Sequence, residues 1–361
     1  MARDLPEKTV KTTNLRNLAL ALIVLAVIVM LFLGIRQSPL VEVDSGTFMT
    51  MGTFGRIQLR CRSEPVGRDA LTAAHEELDR IDRLLSTYRQ DSQLARVNKT
   101  ASQEPVSICP ETYQVLKKAK EYNLKTNGAF DITVGHLLAI WKKAQKSNQL
   151  PTPQQLQQAR RLVGSEKLTL SESSPCTVYF TQPGMKLNVN ALAKGYAVDC
   201  VLSVLRRPGI AAALVDIGGE IAGFGRNRPD KDWLVGIQDP FAPDNEDPLN
   251  TKPEWVVRLH DCAVATSGNY RQYQTIQGEK YSHIIDPRSG QPAQKVPSVT
   301  VIAPLTIDAD ALATALSVLG PEKGLALIES LPNTEALIIT GTREHPQLHR
   351  SRGFSQYEKT D

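Results

Sequence analysis

The sequence predicts an α+β domain preceded by one membrane-spanning helix. Strand-like and helix-like segments alternate along the 361 residues without the regular rhythm of a doubly wound fold. A composition of 41% hydrophobic and 22% charged residues is that of an ordinary folded protein. The third observation is the uninterrupted apolar run LALALIVLAVIVMLFLGI at 18–35. At 1.5 Å per helical residue such a run covers about 27 Å, the thickness of a bilayer's hydrocarbon core. Arg3, Lys8, Lys11 and Arg16 precede it and only Arg36 follows closely, so the positive-inside rule places residues 1–17 in the cytoplasm. No small-residue cleavage pattern follows, which favours an uncleaved anchor over a signal peptide. The net charge of +4 is interspersed, which argues against nucleic acid as a partner.

After a linker at 36–45, TFGRIQLRC reads as a strand. Leu71, Ala74, Leu78, Ile81 and Leu85 then recur at helical spacing. STYRQDSQLARVN reads as a polar loop with a short turn. A helix starts at Pro110, turns Leu116 and Ala119 inward, and stops at Gly128. Thr152 and Pro153 open another, with Gly164 as its stop. TVYF and MKLNV read as short strands, NALAKGYAVDCVLSVLRR as a helix, and AAALVDIGG as a buried strand ending in a glycine pair. WLVGIQ and WVVRLH read as neighbouring strands, SVTVIA as a strand, ADALATALSVLG as a helix and EALIIT as a late strand. The last ten or so residues are polar and read as loose. The five cysteines form no metal-binding spacing; they read best as small buried residues, although an oxidising compartment would allow one or two disulfides.

Several short patterns can carry chemistry, and each has an ordinary structural explanation as well. Asp310 and Thr314 are four apart, so a helix puts a carboxylate and a hydroxyl on one face; such a pair suits Mg2+ or simple helix capping. Lys194 and Asp199 lie on a helix beginning soon after a strand, where phosphates often bind, and Gly195 inside that helix suggests a close approach. DIGGE and TSGNY are small turns that can admit a ligand. Tyr88 and Trp141 can stack on a flat ring or pack. In YSHIIDPRSGQPA, Tyr281 to Ile285 suit a strand closed by Pro287 and Gly290; His283 can serve as a base, and Asp286 can orient it or bind another group.

Taken in order, MGT (51–53), STYRQDSQLARVN (86–98), AFDITVG (129–135), ALAKGYAVD (191–199), LVDIGGEI (214–221), ATSGNY (265–270), SHIIDPRSGQP (282–292) and ADALATAL (309–316) resemble the FAD:protein FMN transferase family, known as ApbE. The resemblance covers about residues 46–342, leaving 343–361 as a tail. It implies a T-fold-related arrangement of mixed sheets with packed helices. It also implies Mg2+-dependent transfer of FMN from FAD to a threonine hydroxyl of a target protein, forming a phosphoester and releasing AMP. By motif, Met51, Tyr88, Ala129, Phe130, Asp131 and Lys194 would contact FAD, and Ile284 would line the flavin site. The Ala191 carbonyl, Asp310 and Thr314 would hold the metal, and His283 would be the base at the reacting phosphate. Asn188 stands where many members carry aspartate; it keeps hydrogen-bonding capacity at the FAD site but loses the charge. Asn190 likewise replaces a small residue.

The implied targets are membrane subunits of the sodium-pumping NADH:quinone reductase or related complexes. The implied location is the bacterial inner membrane, single-pass, with the domain in the periplasm. Hydrolysis of FAD to FMN and AMP, and non-catalytic flavin binding, are the competing readings of the same motifs.

Overall fold

The computed structural model describes residues 17–26, 39–228, 231–242, 253–268 and 273–359. The chain divides into two units, Met1–Val41 and Glu42–Asp361. In the first, the described part is a short apolar helix, Asn17–Ala26 (α1). Residues 1–16 and 27–35 of the expected N-terminus and anchor lie outside the described residues.

The second unit is built on a nine-stranded sheet. Val41–Asp44 (β1), Phe48–Thr50 (β2) and Thr53–Cys61 (β3) open it, followed by the helix Glu64–Leu85 (α2). On α2 the buried positions include Ala70, Ala74, Leu78, Ile81 and Leu85, one apolar stripe, with Leu71 only half-buried at its edge. The segment expected to be a loop is helical from Gln93 to Thr100 (α3), because Ser92 caps it by accepting from the Ala95 amide at 2.9 Å. Val106–Ile108 (β4) leads to Pro110–Lys125 (α4), whose Leu116 and Ala119 are fully buried.

Gly135–Ser147 (α5) and Pro153–Arg160 (α6) follow. The α6 start has a full capping box between Thr152 and Gln155, but the helix ends at Arg160, short of Gly164, which instead opens a 3-10 turn. Leu168–Ser171 (β5) and Cys176–Phe180 (β6) join β4 in a three-stranded sheet. MKLNV forms no strand beyond a single bridge between Lys186 and Val134.

Asn190–Leu205 (α7) precedes Ile210–Ile217 (β7) and Glu220–Phe224 (β8). Trp233–Ile237 (β9) and Trp255–Leu259 (β10) pair antiparallel, as neighbours, and Ala263–Gly268 (β11) re-enters the large sheet. Tyr273–Ile276 (β12) and Glu279–Ser282 (β13) form a separate hairpin. Ser298–Ala303 (β14), Thr306–Ile328 (α8), Glu335–Gly341 (β15) and Pro346–Arg350 (β16) complete the chain. The α8 helix breaks at Gly320, where φ is 77°, and resumes at Pro321.

The large sheet runs β1-β3-β7-β8-β11-β14-β15-β16, with β2 beside β3, and its pairings from β3 to β16 are antiparallel. One face packs on α2, α7 and α8 through residues such as Ile57, Val215, Val301 and Leu312. The other face, through Val264, Ile302 and Leu337, packs on β9, β10 and Phe354. Burial on both faces explains why all six residues of SVTVIA are buried. It also corrects the reading of the C-terminus: Phe354 is fully buried and the Lys359 amide donates to the Val256 carbonyl, so these residues pack on β10. All five cysteines are free thiols.

Candidate functional site

A cleft of about 1130 Å³ opens where the β2–β3 turn, the α2–α3 junction, α5, the start of α7, the β7–β8 turn, the end of β11 and α8 converge. All twelve residues named above for catalysis, FAD and metal line it.

Its floor is the crossing of α7 with α8. A Cβ at Gly195 would sit 2.5 Å from the Thr306 carbonyl oxygen, so the close approach anticipated there is by backbone. The Gly195 amide donates to Asp310 Oδ2 at 3.0 Å. That amide is the ordinary i+4 partner of the Ala191 carbonyl, so Asp310 is brought beside the first turn of α7. Asp199 accepts from the Thr306 and Ile307 amides at 2.8 and 2.9 Å and caps α8. Burial nevertheless raises the Asp199 pKa, against those two amides.

Lys194 forms an ion pair with Glu220, whose second oxygen, Oε2, is buried with no hydrogen-bond partner among the described residues. Asp310, 3% exposed, sits close enough to act on both. Burial pushes Glu220 up to about 8, with Lys194 opposing and Asp310 adding to the rise. Burial raises Asp310 too, against Lys194 and the Gly195 amide. Burial also works against the Lys194 charge, but the Glu220 and Asp310 carboxylates outweigh it and hold the ammonium above its ordinary value. Two buried carboxylates thus share one lysine, and the excess negative charge calls for a proton or a cation. Thr314 Oγ1, 3.4 Å from Ser267 Oγ, adds a hydroxyl one turn beyond Asp310. Among the described residues no cluster of three or more histidine, cysteine, aspartate or glutamate residues could hold a metal. The donor set is carboxylate, hydroxyl and carbonyl, which fits a hard cation completing its shell with water or phosphate oxygens.

The walls are more varied. Met51 (φ 47°) and Gly52 (φ 74°) form the tight β2–β3 turn. The Tyr88 ring is 71% exposed, with the Lys142 ammonium 5.7 Å from its centroid and the Asn190 amide donating to its hydroxyl at 3.4 Å. The Asp131 carboxylate is consumed internally: Oδ1 accepts from Thr133 and Ser165, and Oδ2 from Asn123 and the Ser165 amide. What Ala129, Phe130 and Asp131 offer the cleft is therefore mainly a rigid surface. Asn188 Oδ1 accepts from the Asn190 amide at 3.0 Å and so shapes the entry to α7.

The expected strand over Tyr281–Ile285 stops at Ser282, because Ser282 Oγ accepts from the Ile284 amide and bends the chain. His283 and Ile284 follow on a compact turn closed by the Ile285–Pro292 bridge and by Gly290, whose amide donates to the Asp286 carbonyl at 2.8 Å. Trp141 Nε1 donates to the Gly290 carbonyl at 2.9 Å and fastens this turn to α5. Of the two roles open to Asp286, the structure shows the binding of another group: its oxygens accept from Arg288 at 2.9 and 3.1 Å.

Sequence reasoning missed Glu220, Lys142 and Gln274, all in the cleft. Glu220 had a signal, a carboxylate directly after a glycine pair at a strand end; Lys142 and Gln274 had none.

The sequence pattern of the ApbE family matches residues 51–338. The FAD:protein FMN transferase of Vibrio cholerae serotype O1 is 35% identical over 318 residues, 85% of this chain and 90% of that protein. The Treponema pallidum protein of the same name is 34% identical over 305 residues, 81% of this chain and 83% of its own length. The solved flavin transferase ApbE from Vibrio cholerae superposes with a TM-score of 0.75 at 32% identity, covering 88% of this chain and all of that one. Agreement in sequence over most of the length, in fold, and in the ordered motifs that meet in one cleft places the chain in the ApbE family.

Proposed function

We propose that this protein transfers FMN from FAD to a threonine hydroxyl of a target protein. The observation that carries this is the meeting, in one cleft, of His283 with the half-buried Lys194 and Thr314 and the buried Glu220 and Asp310, although they come from four separate stretches of chain. The threonine oxygen bonds to the FMN phosphorus, the bond to the AMP phosphate breaks, and AMP leaves. His283 takes the hydroxyl proton, which a threonine does not readily lose at its own pKa. Lys194 supplies fixed positive charge toward the pyrophosphate, and Phe130 and Ile284 exclude water beside the flavin. Asp310, Thr314 and the Ala191 carbonyl would hold Mg2+, which supplies charge neutralisation to phosphoryl transfer. Asn188 acts on FAD through the start of α7, which its side chain shapes.

The apolar run 18–35 anchors the protein in the bacterial inner membrane, with the transferase domain, 46–342, and the tail, 343–361, on the periplasmic side. Its acceptors are threonines of membrane electron-transfer subunits such as those of the sodium-pumping NADH:quinone reductase. The test mixes the full-length protein with FAD, Mg2+ and such a subunit, then reads covalent flavin fluorescence on a denaturing gel and AMP in solution. A fluorescent band abolished by EDTA is the expected result. AMP without a band would make the protein a hydrolase, and bound FAD with neither product would make it a flavin carrier.

A further inference from the structure

The reaction brings a second protein to the cleft, so some of that protein must rest on the rim. The β2–β3 hairpin, whose turn residues Met51 and Gly52 and first β3 residue Thr53 line the cleft, presents two faces. The inner face is pinned: Phe48 packs edge-on to His75 at 4.3 Å between centroids and against the core of the domain. On the outer face Met49 and Phe54 stand directly opposite each other across the two strands, 66% and 64% exposed. Scattered apolar residues on a surface are normal, but a cross-strand pair of large ones at the mouth of a cleft is a patch. Arg56, further along the outer face of β3, is paired with Asp44 at 2.6 Å and gives the patch a charged border.

The patch is continuous with the cleft. The Phe54 carbonyl accepts from the Gly218 amide at 2.9 Å, which puts Phe54 beside the β7–β8 turn. That turn is Gly218–Gly219, both at positive φ, and Gly218 lines the cleft. It carries no side chains, and a Cβ at Gly219 would meet nothing within 4 Å. An extended chain lying on Met49 and Phe54 thus has an open path over the glycine turn toward Glu220 and Lys194.

We infer that Met49 and Phe54 are the docking surface for the acceptor protein, holding an apolar side chain close in sequence to the threonine that enters the cleft. The inference rests on the transferase reading above. A patch of two side chains suits an enzyme that must release its modified partner, since transient encounters occupy small interfaces.

The experiment compares full-length wild type with the Met49→Ser/Phe54→Ser double variant and with a Met49→Leu/Phe54→Leu control. The acceptor is a flavin-accepting subunit of a sodium-pumping NADH:quinone reductase. Its KM and kcat are read by in-gel flavin fluorescence, FAD affinity by fluorescence quenching, and oligomeric state by size-exclusion chromatography. The serine pair should raise the acceptor KM by about tenfold, as for loss of an interface anchor, with kcat and FAD affinity unchanged. The leucine pair should keep the wild-type KM. An unchanged acceptor KM in the serine pair overturns the inference. So does a matching loss of FAD affinity, which would give the pair to the flavin, or a dimer that falls apart with KM unmoved, which would give it to a second copy. A wild type that labels no acceptor overturns the transferase reading instead, and this inference with it.

Discussion

Glu220 and Asp310 compete for Lys194, and the buried Glu220 Oε2 is left without a hydrogen-bond partner among the described residues. A bound cation would relieve that imbalance, so Asp310→Ala should raise the Mg2+ needed for half-maximal transfer by at least about tenfold, the effect of losing a charged contact of ~1.5–3 kcal/mol. A Mg2+ titration of FAD binding, read by flavin fluorescence, checks this separately from turnover. An unchanged titration would put the metal elsewhere. His283 is different in kind, since it lines the cleft from a turn. His283→Ala should lower kcat for transfer by about 100- to 10,000-fold, the range for loss of a general base, and leave FAD affinity unchanged. Transfer at the wild-type rate with saturating FAD would remove the base assignment.

Among the elements, the α7–α8 crossing has little room to spare. Alanine ordinarily gains ~1 kcal/mol over glycine inside a helix. At Gly195 the new methyl would press on the Thr306 backbone, and overpacking of this kind costs about 1–3 kcal/mol. Gly195→Ala should therefore lower the melting temperature and, by displacing Asp310, weaken Mg2+ activation; a higher melting temperature would show that the helices yield easily. The turn bearing His283 depends on α5 instead. Trp141→Phe removes the donor to the buried Gly290 carbonyl, a loss of about 1–3 kcal/mol, and should lower kcat with FAD affinity intact.

These two elements also show what sequence could and could not disclose. The stripe on α2, the cap of α6 and the partnership of β9 with β10 are local patterns and were legible. So were the candidate residues that line the cleft: of the twelve, all but Asn188 sit inside a continuous motif, whereas Lys142 and Gln274 lie in none. The pairing of Lys194 with Glu220 was not legible, since it depends on α7 meeting the β7–β8 turn in space. Nor was the diversion of Asp286 to Arg288, of Asp131 to Thr133 and Ser165, or of Asp199 to the start of α8: the chain shows a carboxylate but not which nearby amide claims it. The helix at Gln93 escaped because Ser92 was one polar residue among many.

For the whole molecule, the N-terminal run and the folded unit make separable claims. Deleting residues 1–38 should move the protein from the membrane fraction to the soluble one while transfer to a soluble acceptor continues at the full-length rate. Retention in the membrane fraction would mean that another surface holds it there. The tail carries the opposite expectation: Phe354 fills the layer formed by β9 and β10, so removing residues 351–361 should destabilise the domain by ~3–5 kcal/mol, the cost of emptying a buried aromatic site, read as a lower melting temperature.

The sheet covered on both faces divides the site by depth. Asp310, Lys194 and Glu220 stand on elements that pack into the principal core, whereas His283 belongs to a turn held by the satellite cluster of Leu137, Trp141 and Ile285. Amide hydrogens of β14 and α8 should exchange with solvent only when the entire domain opens, and those of 283–292 in a smaller, earlier excursion. Warming should then disarm the enzyme in stages, with transfer fading while bound flavin is still retained.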